Sequence, residues 1–345
     1  MLWIMAFHSQ VYFGDSGPGM PLNFWKQSGF GGADIFFFLS GFGLVHGWVR
    51  RRPSTATFYA GRVRRVLPAF WLLVVADAGL SWAMGSSPTL TTLATRLVGV
   101  DYLVFGDDRF WFVPSIAVCY AAFPWLMGLA SEAGTAGPES RRPHALLVLA
   151  TAFALAAVTL PVGHLYLLVA RVPVFVLGVF VGIRACRSTE DSQRAWPWPQ
   201  ISVGVAVLGL LVLWIIQMSG AESADESFQS GGLLLFLPLA PALVIVAASA
   251  FAWLEDRGLA PGALGWIRGG LAFIGRNSLE LYLIHVSLFE TLGPQVNAGL
   301  QEALPTAARG NLLACVLLSA VSLALAAPVA RFARLFRANS VTGRP

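Results

Sequence analysis

Long apolar runs separated by short polar links dominate the chain, and their lengths are typical of membrane-spanning helices. A helix of about 20 apolar residues crosses the hydrocarbon core of a bilayer. The predicted apolar segments are 1–13, 30–49, 66–85, 110–130, 145–162, 165–184, 201–218, 233–254, 271–293 and 311–330. The pattern predicts an all-α polytopic membrane protein with about ten transmembrane helices and short loops.

Basic residues are divided unevenly between the two sets of loops that alternate along this pattern. Every second loop and residues 331–345, which follow the last segment, together contain 17 of the 23 lysines and arginines. The intervening loops contain only Lys26, Arg96, Arg109 and Arg309. Because basic loops stay on the cytoplasmic side of a membrane, both termini are predicted to be cytoplasmic. We expect one transmembrane domain over 1–338 and a short cytoplasmic tail over 339–345.

The composition agrees with this class. Apolar residues make up 56% of the 345-residue chain, charged residues make up 12%, and the mean hydropathy is +0.68, which excludes an ordinary soluble domain. The net charge of +5 does not indicate nucleic-acid binding, because most arginines flank apolar helices. The expected surroundings are the lipid bilayer of the cell (plasma) membrane. Cys119, Cys186 and Cys315 are not spaced as metal ligands, and we interpret them as packing residues.

A cluster of basic residues separates the second and third predicted segments. Six arginines lie within the 16 residues from Arg50 to Arg65. Arg62 and Arg65 stand three positions apart and therefore share one face of a helix. Two guanidinium groups at a membrane surface suit a phosphate-rich ligand that arrives from that side. The alternative is that these arginines only set the orientation of the chain in the membrane.

Ionisable residues inside apolar segments are costly and point to a functional site. The candidates are His8, Asp34, His46, Asp77, Arg171, Glu280 and His285. His8, Asp34 and His285 lie at similar depths in the outer half of their segments, His8 about 7 to 8 Å from the outer end. Groups that exchange or orient protons at one depth favour a common pocket. The alternatives are buried hydrogen bonds between helices, or a transporter that couples a small polar solute to protons.

Several sequence blocks carry a resemblance to a known family. The stretch GADIFFFLSGF at 32–42 resembles the G-V-D-x-F-F-x-L-S-G-F motif of the membrane acyltransferase-3 family. RVRRVLP at 62–68, WFVP with the later Tyr and Phe-Pro at 111–124, and GRNSLELYLIH at 275–285 resemble three further family motifs in the same order. A weaker match covers RVPVFVLG at 171–178. These proteins O-acylate surface polysaccharides and other exported or secondary-metabolite sugars.

The resemblance implies an acyltransferase that uses a cytosolic acyl-CoA, most simply acetyl-CoA, as co-substrate and bears no bound cofactor. The acceptor would be a hydroxyl of a carbohydrate or glycan. His8 is similar to the family's catalytic histidine and would act as the base, with Asp34 orienting its ring. Arg62 and Arg65 would bind the donor. The residues that the resemblance places around the pocket and acceptor are Ser40, Trp111, Tyr120, Arg171, Ser278, Tyr282 and His285.

Some alternatives remain open within this class. The acyl group could be succinyl or longer, and the acceptor could be a lipid or the sugar of an antibiotic or other secondary metabolite. The Ser40-Gly41 pair is more typical of close helix packing than of a nucleophile. The residues Ser278, Tyr282 and His285 stand at i, i+4 and i+7 and therefore form one helical stripe.

The first predicted segment is short. Residues 1–13 give about 20 Å of helix against a hydrocarbon core near 30 Å. The family's first helix also carries an arginine eleven positions before the catalytic histidine, and the matching position would fall before Met1. We therefore expect the first helix to be truncated, with a functional product that begins upstream.

Overall fold

A computed structural model of the protein describes residues 1–13, 25–86, 88–132, 163–188, 198–218, 226–259 and 261–338. The regular structure within these ranges is helical throughout, with no strand, which confirms the predicted all-α class. The helices are α1 (Leu2–Phe13), α2 (Gly32–Arg51), α3 (Thr55–Ala83), α4 (Leu90–Val98), α5 (Phe112–Glu132), α6 (Tyr166–Val169), α7 (Val172–Ser188), α8 (Trp198–Met218), α9 (Glu226–Asp256), α10 (Pro261–Arg276), α11 (Ser278–Ser287), α12 (Gly293–Ala303) and α13 (Ala307–Ala338).

Six stretches of helix in the described part of the chain are long and apolar enough to cross a membrane. They are Trp25–Arg51, Thr55–Ala83, Phe112–Leu129, Tyr166–Cys186, Leu235–Asp256 and Arg309–Leu335. A shorter apolar helix covers Gln200–Ile215. The predicted segment 145–162 and the predicted tail 339–345 lie outside the described residues. The count of ten, the orientation of the termini and the single domain stay predictions.

The basic cluster between α2 and α3 differs in detail from its predicted form. The third segment, expected to begin at residue 66, is already helical from Thr55, and Arg62 and Arg65 lie on this helix, as their spacing predicted. Helix α2 ends at Arg51, and Arg52 adopts the left-handed conformation with φ 43°. Its backbone N–H donates to the carbonyl of Trp48 at 2.8 Å, which closes the helix end. The polar link is therefore only three residues long.

The predicted segment 271–293 is also not continuous. Helix α10 ends at Arg276, Asn277 leaves the helical conformation with φ −112° and ψ 20°, and α11 begins at Ser278. The amide of Asn277 donates to the Phe273 carbonyl at 2.8 Å. The same carbonyl also accepts the backbone N–H of Asn277 at 3.1 Å, so both bonds hold this junction between the two helices. After α11 the chain forms one π-helical turn, Leu288–Leu292.

The chain divides into two compact units. The first unit comprises Met1–Phe30, Ala60–Val113 and Ala260–Pro345. Within it, α1 packs against α12, α13 and the π-helical turn, and α11 packs against α13. The buried core of this unit includes Met5, Phe70, Phe110, Leu281 and Phe289. These contacts hold the middle of α1 close to α11.

The second unit comprises Gly31–Tyr59 and Pro114–Leu259. Its most extensive packing joins α2 to α7, and α9 contacts α2, α7 and α8. A Cβ atom at Gly41 would overlap the Phe175 carbonyl oxygen, and one at Gly178 would overlap the Phe38 carbonyl oxygen. The two helix backbones therefore meet at glycines, as in close packing within a membrane. This geometry accounts for Gly41 in the Ser40-Gly41 pair.

Replacing Gly41 by valine should separate α2 from α7 and reduce the yield of folded protein severely. Overpacking a filled interface typically costs about 1–3 kcal/mol, and here the overlapping atom is rigid backbone. Gly43 lies on the same helix, and a Cβ there would meet nothing within 4 Å, so Gly43→Val is the matched control. Thermal unfolding in detergent provides the measurement. Equal stability of the two variants would contradict the packing role of Gly41.

Candidate active site

Two histidines meet inside the first unit. His8 in the middle of α1 and His285 near the end of α11 have ring centroids 4.9 Å apart. His285 is fully buried, and His8 is half-buried. The sequence predicted that these residues would share a pocket from their similar depth. Within this unit the structure brings them into contact.

The hydrogen bonds of the two rings leave one nitrogen of each available. His285 Nδ1 lies 3.0 Å from the Leu281 carbonyl oxygen, which can only accept, so this nitrogen carries the proton and Nε2 holds the lone pair. His285 Nε2 and His8 Nδ1 are both buried and have no hydrogen-bond partner in the described part of the chain. Buried polar atoms are nearly always satisfied, so two orphaned nitrogens at one place indicate a site that a ligand completes.

Aromatic rings surround the histidine pair. Tyr282 lies one turn before His285, with ring centroids 5.5 Å apart, and its ring also packs against Phe112 at 4.9 Å. Ser278 begins the same helix, so the predicted stripe lies on continuous α-helix. At helical rise, Ser278 is about 10 Å along the axis from His285. Ser278, at the start of α11, is therefore too far along the helix to contact the histidine pair near its end.

A network of ion pairs lies beyond the C-terminal end of α11. The Arg109 guanidinium contacts Asp77 at 3.3 Å and Glu290 at 3.2 Å, and it donates to the Thr291 hydroxyl at 2.5 Å. The Tyr12 hydroxyl donates to Glu290 at 3.4 Å, and the Tyr12 ring lies 5.8 Å from the ring of His8. This polar network therefore begins next to the catalytic histidine predicted from sequence.

The network continues into the segment between α4 and α5. Arg96 forms a short ion pair with Asp107 at 2.6 Å and a longer one with Asp77 at 3.7 Å. Burial and the neighbouring Asp107 raise the pKa of Asp101 from 3.8 to about 6, and the same causes raise the pKa of Asp108. A raised pKa means that Asp101 favours folding below about pH 4 and that this contribution is lost as the pH rises through 6. The region is acidic overall.

Arg65 is already neutralised within the protein. Its guanidinium forms a bidentate ion pair with Glu280, at 2.6 and 3.3 Å. It also donates to the Arg276 carbonyl oxygen at 3.0 Å. Glu280 is fully buried on α11, while a third of the Arg65 side chain is exposed. The carboxylate therefore fixes α3 to the start of α11. Arg62 is half-buried one turn earlier on α3.

Asp34 and Arg171 form a buried pair in the second unit. Arg171 Nη2 lies 3.7 Å from Asp34 Oδ2, and both side chains are at most 1% exposed. Arg171 also donates to the Leu167 carbonyl at 2.9 Å. Ala170 and Arg171 lie between the short α6 and α7, so the helix is interrupted within the predicted segment 165–184. The role of Asp34 in orienting His8 stays a prediction.

The remaining predicted pocket residues are distributed over both units. Trp111 belongs to the first unit, where its ring lies 6.4 Å from Tyr102 and 6.0 Å from Phe112. Ser40 on α2 and Tyr120 on α5 are half-buried in the second unit. The roles assigned to these three residues are not tested by their positions.

Sequence reasoning did not identify Arg109, Glu290 and Tyr12, which form the polar network next to His8. A signal existed for Arg109, because arginines are rare in the loops predicted to lie outside. Tyr12 stands four residues after His8 and thus on the same helical face. Glu290 had no such signal, since only the π-helical turn brings it towards Arg109.

Six stretches of membrane-spanning length in the described residues, together with the contact between the half-buried His8 and the buried His285, place the chain among integral membrane proteins with a candidate acid–base site. The acyltransferase-3 family model, described as an acyltransferase domain, matches residues 1–331. The chain belongs to this family, and the protein is a membrane acyltransferase, as predicted. This decides against the transporter alternative. Comparison with curated proteins and with solved structures gave no match.

Proposed function

We propose that the protein transfers an acyl group, most simply acetyl, from a cytosolic acyl-CoA to a hydroxyl group of a carbohydrate or glycan, and that His8 is the general base. The observation that carries the proposal is the contact between His8 and His285, each with one buried ring nitrogen that lacks a partner among the described residues. The plasma membrane is the proposed location.

The proposed reaction needs no cofactor, because a thioester is already activated. A ring nitrogen of His8 accepts the proton of the acceptor hydroxyl as its oxygen attacks the thioester carbonyl carbon. The carbon–sulfur bond then breaks, and the proton passes from His8 to the departing thiolate. The products are the acyl ester and free CoA, so protons and charges balance. His285 Nε2, on the ring that contacts His8, is an acceptor and would help to orient the hydroxyl.

The two ends of α11 support separate entry routes for the two substrates. The Arg65 end carries basic residues and is the end predicted to face the cytosol, where acyl-CoA is found. The Glu290 end carries carboxylates, Tyr12 and Arg109, whose polar groups suit the hydroxyls of a sugar. A neutral glycan fits this end better than an anionic one, because the region is acidic overall.

Release of free CoA thiol tests the proposal directly. The protein in nanodiscs would be mixed with acetyl-CoA or succinyl-CoA and with a neutral oligosaccharide, a uronic-acid oligosaccharide or a phospholipid. We expect thiol release that depends on both acetyl-CoA and the neutral oligosaccharide, with an acyl ester detected on the sugar by mass spectrometry. Transfer only to phospholipid would refute the glycan acceptor, and transfer only from succinyl-CoA would refute acetyl as the group moved.

A further inference from the structure

A cavity of about 360 Å³ lies at the N-terminal end of α11 in the first unit. Four arginines from three helices line it: Arg65 from α3, Arg276 from α10, and Arg331 and Arg334 from α13. Asn277, the residue that breaks the helix, also lines the cavity, together with Phe273 and two alanines. The volume is within the range of small-ligand sites.

Within the described part of the chain, most of the positive charge in this cavity has no counter-charge. Glu280 neutralises Arg65, as described above. Among the described residues, no carboxylate forms an ion pair with Arg276, Arg331 or Arg334. Arg334 Nε donates to the Ala330 carbonyl of its own helix at 3.0 Å. Arg276, Arg331 and Arg334 are all exposed, so a multivalent anion can reach them and would relieve the repulsion between them.

A simpler reading is that these arginines only mark the cytoplasmic side, where they meet the head groups of anionic lipids. Arg331 and Arg334 also lie near the C-terminal end of α13, where basic residues are favourable. Those causes require basic residues at helix ends, but they do not require residues of three helices to line one cavity. Convergence of four guanidinium groups is instead typical of a site that binds phosphate.

We propose that this cavity binds the phosphates of the acyl-CoA donor and that Arg276, Arg331 and Arg334 are the binding groups, while Arg65 is a positioning residue held by Glu280. The proposal rests on the proposed function and names the donor subsite within it. A phosphate monoester and a diphosphate together carry about four negative charges near pH 7, which exceeds the three cations they would meet. This proposal moves the donor-binding role predicted for Arg65 to arginines outside the RVRRVLP motif at 62–68.

The geometry of α11 connects this cavity with the histidine pair. Asn277 at the cavity and His285 are eight residues apart, which corresponds to about 12 Å along the helix axis. An extended pantetheine arm is longer than this distance. A donor held by its phosphates in the cavity can therefore present its thioester near His8 and His285.

Binding measurements in nanodiscs of neutral phosphatidylcholine test the proposal. The variant Arg331→Gln/Arg334→Gln should bind CoA and 3′-dephospho-CoA at least about tenfold more weakly than the unchanged protein, because each lost contact is a charge-assisted hydrogen bond. Pantetheine, which has no phosphate, should bind equally to both. Inorganic pyrophosphate should raise the unfolding temperature of the unchanged protein and not that of the variant.

The control variant is Arg50→Gln/Arg51→Gln. It loses two positive charges on the predicted cytoplasmic side, as the first variant does, but neither residue lines the cavity. We expect it to bind CoA normally. A second arm repeats the measurements with phosphatidylglycerol in the nanodisc. If the Arg331/Arg334 variant binds CoA as tightly as the unchanged protein, or if its only defect is weaker association with phosphatidylglycerol, the cavity serves lipid or orientation and the proposal is wrong.

The two proposals can fail independently. If acyl transfer requires His8 but the Arg331/Arg334 variant keeps the KM for acyl-CoA, the cavity proposal is wrong and the function stands. If CoA binds through these arginines but no acyl group is transferred to any glycan, the proposed acceptor is wrong and the phosphate site stands.

Discussion

Replacing His8 by alanine should lower the rate of acyl transfer by about 100- to 10,000-fold, which is the usual contribution of a positioned general base. The protein should remain folded, because the His8 ring is half-buried and its Nδ1 has no partner in the described part of the chain. Donor binding should be unchanged, since the base acts only during transfer. The measurement is ester formation under saturating acyl-CoA, beside a thermal unfolding curve.

A matched control is His46→Ala on α2. The His46 ring is exposed to its surroundings, and its Nδ1 lies 3.0 Å from the Phe42 carbonyl, so its loss should leave transfer unchanged. His285→Asn should reduce kcat less than His8→Ala and should raise the KM for the acceptor, because His285 orients the hydroxyl. Full activity of the His8→Ala variant would end the assignment of the base. Equal losses in all three variants would point to folding instead.

Replacing Arg171 by methionine should destabilise the protein by about 3–5 kcal/mol, because it leaves the Asp34 carboxylate buried without its cation. Both side chains are at most 1% exposed, so water cannot replace the lost partner. Arg184→Met is the control, since Arg184 lies on the same helix α7 and is exposed. The fraction of monodisperse protein in detergent and its unfolding temperature provide the measurement.

The double variant Asp34→Leu/Arg171→Met then separates the structural role of Asp34 from the catalytic one. Removing both members of a buried pair is often neutral for stability, so folding should return. If Asp34 acts with His8 as predicted, the refolded double variant should still transfer acyl groups far more slowly than the unchanged protein. Normal transfer by a stable double variant would show that Asp34 serves only to neutralise the buried charge of Arg171.

The linear pattern of the chain determined the class of protein and the location of much of its chemistry. Apolar runs of sufficient length predict helices in any bilayer, because backbone groups in hydrocarbon must bond within their own segment. Each residue adds a fixed rise along a helix, so the position of a residue in its segment gives its depth in the membrane. The sequence therefore predicts His8 and His285 at the same depth. The motif around 275–285 predicted the helical stripe that carries His285, and that stripe is present on α11.

Only the tertiary structure decided which charges are satisfied and which are left over. The spacing of Arg62 and Arg65 predicts that both bind the acyl-CoA donor. In the structure the charge of Arg65 is paired with Glu280, which lies 215 residues away in sequence. Arg276 lies within the predicted segment 271–293, and Arg331 and Arg334 follow the last predicted segment, yet they line one cavity with Arg65 because α3, α10 and α13 converge there. Glu290 meets Arg109 only through the π-helical turn after α11. Ion pairing depends on distances of a few ångströms between side chains far apart in sequence, and helical periodicity carries no information about such distances.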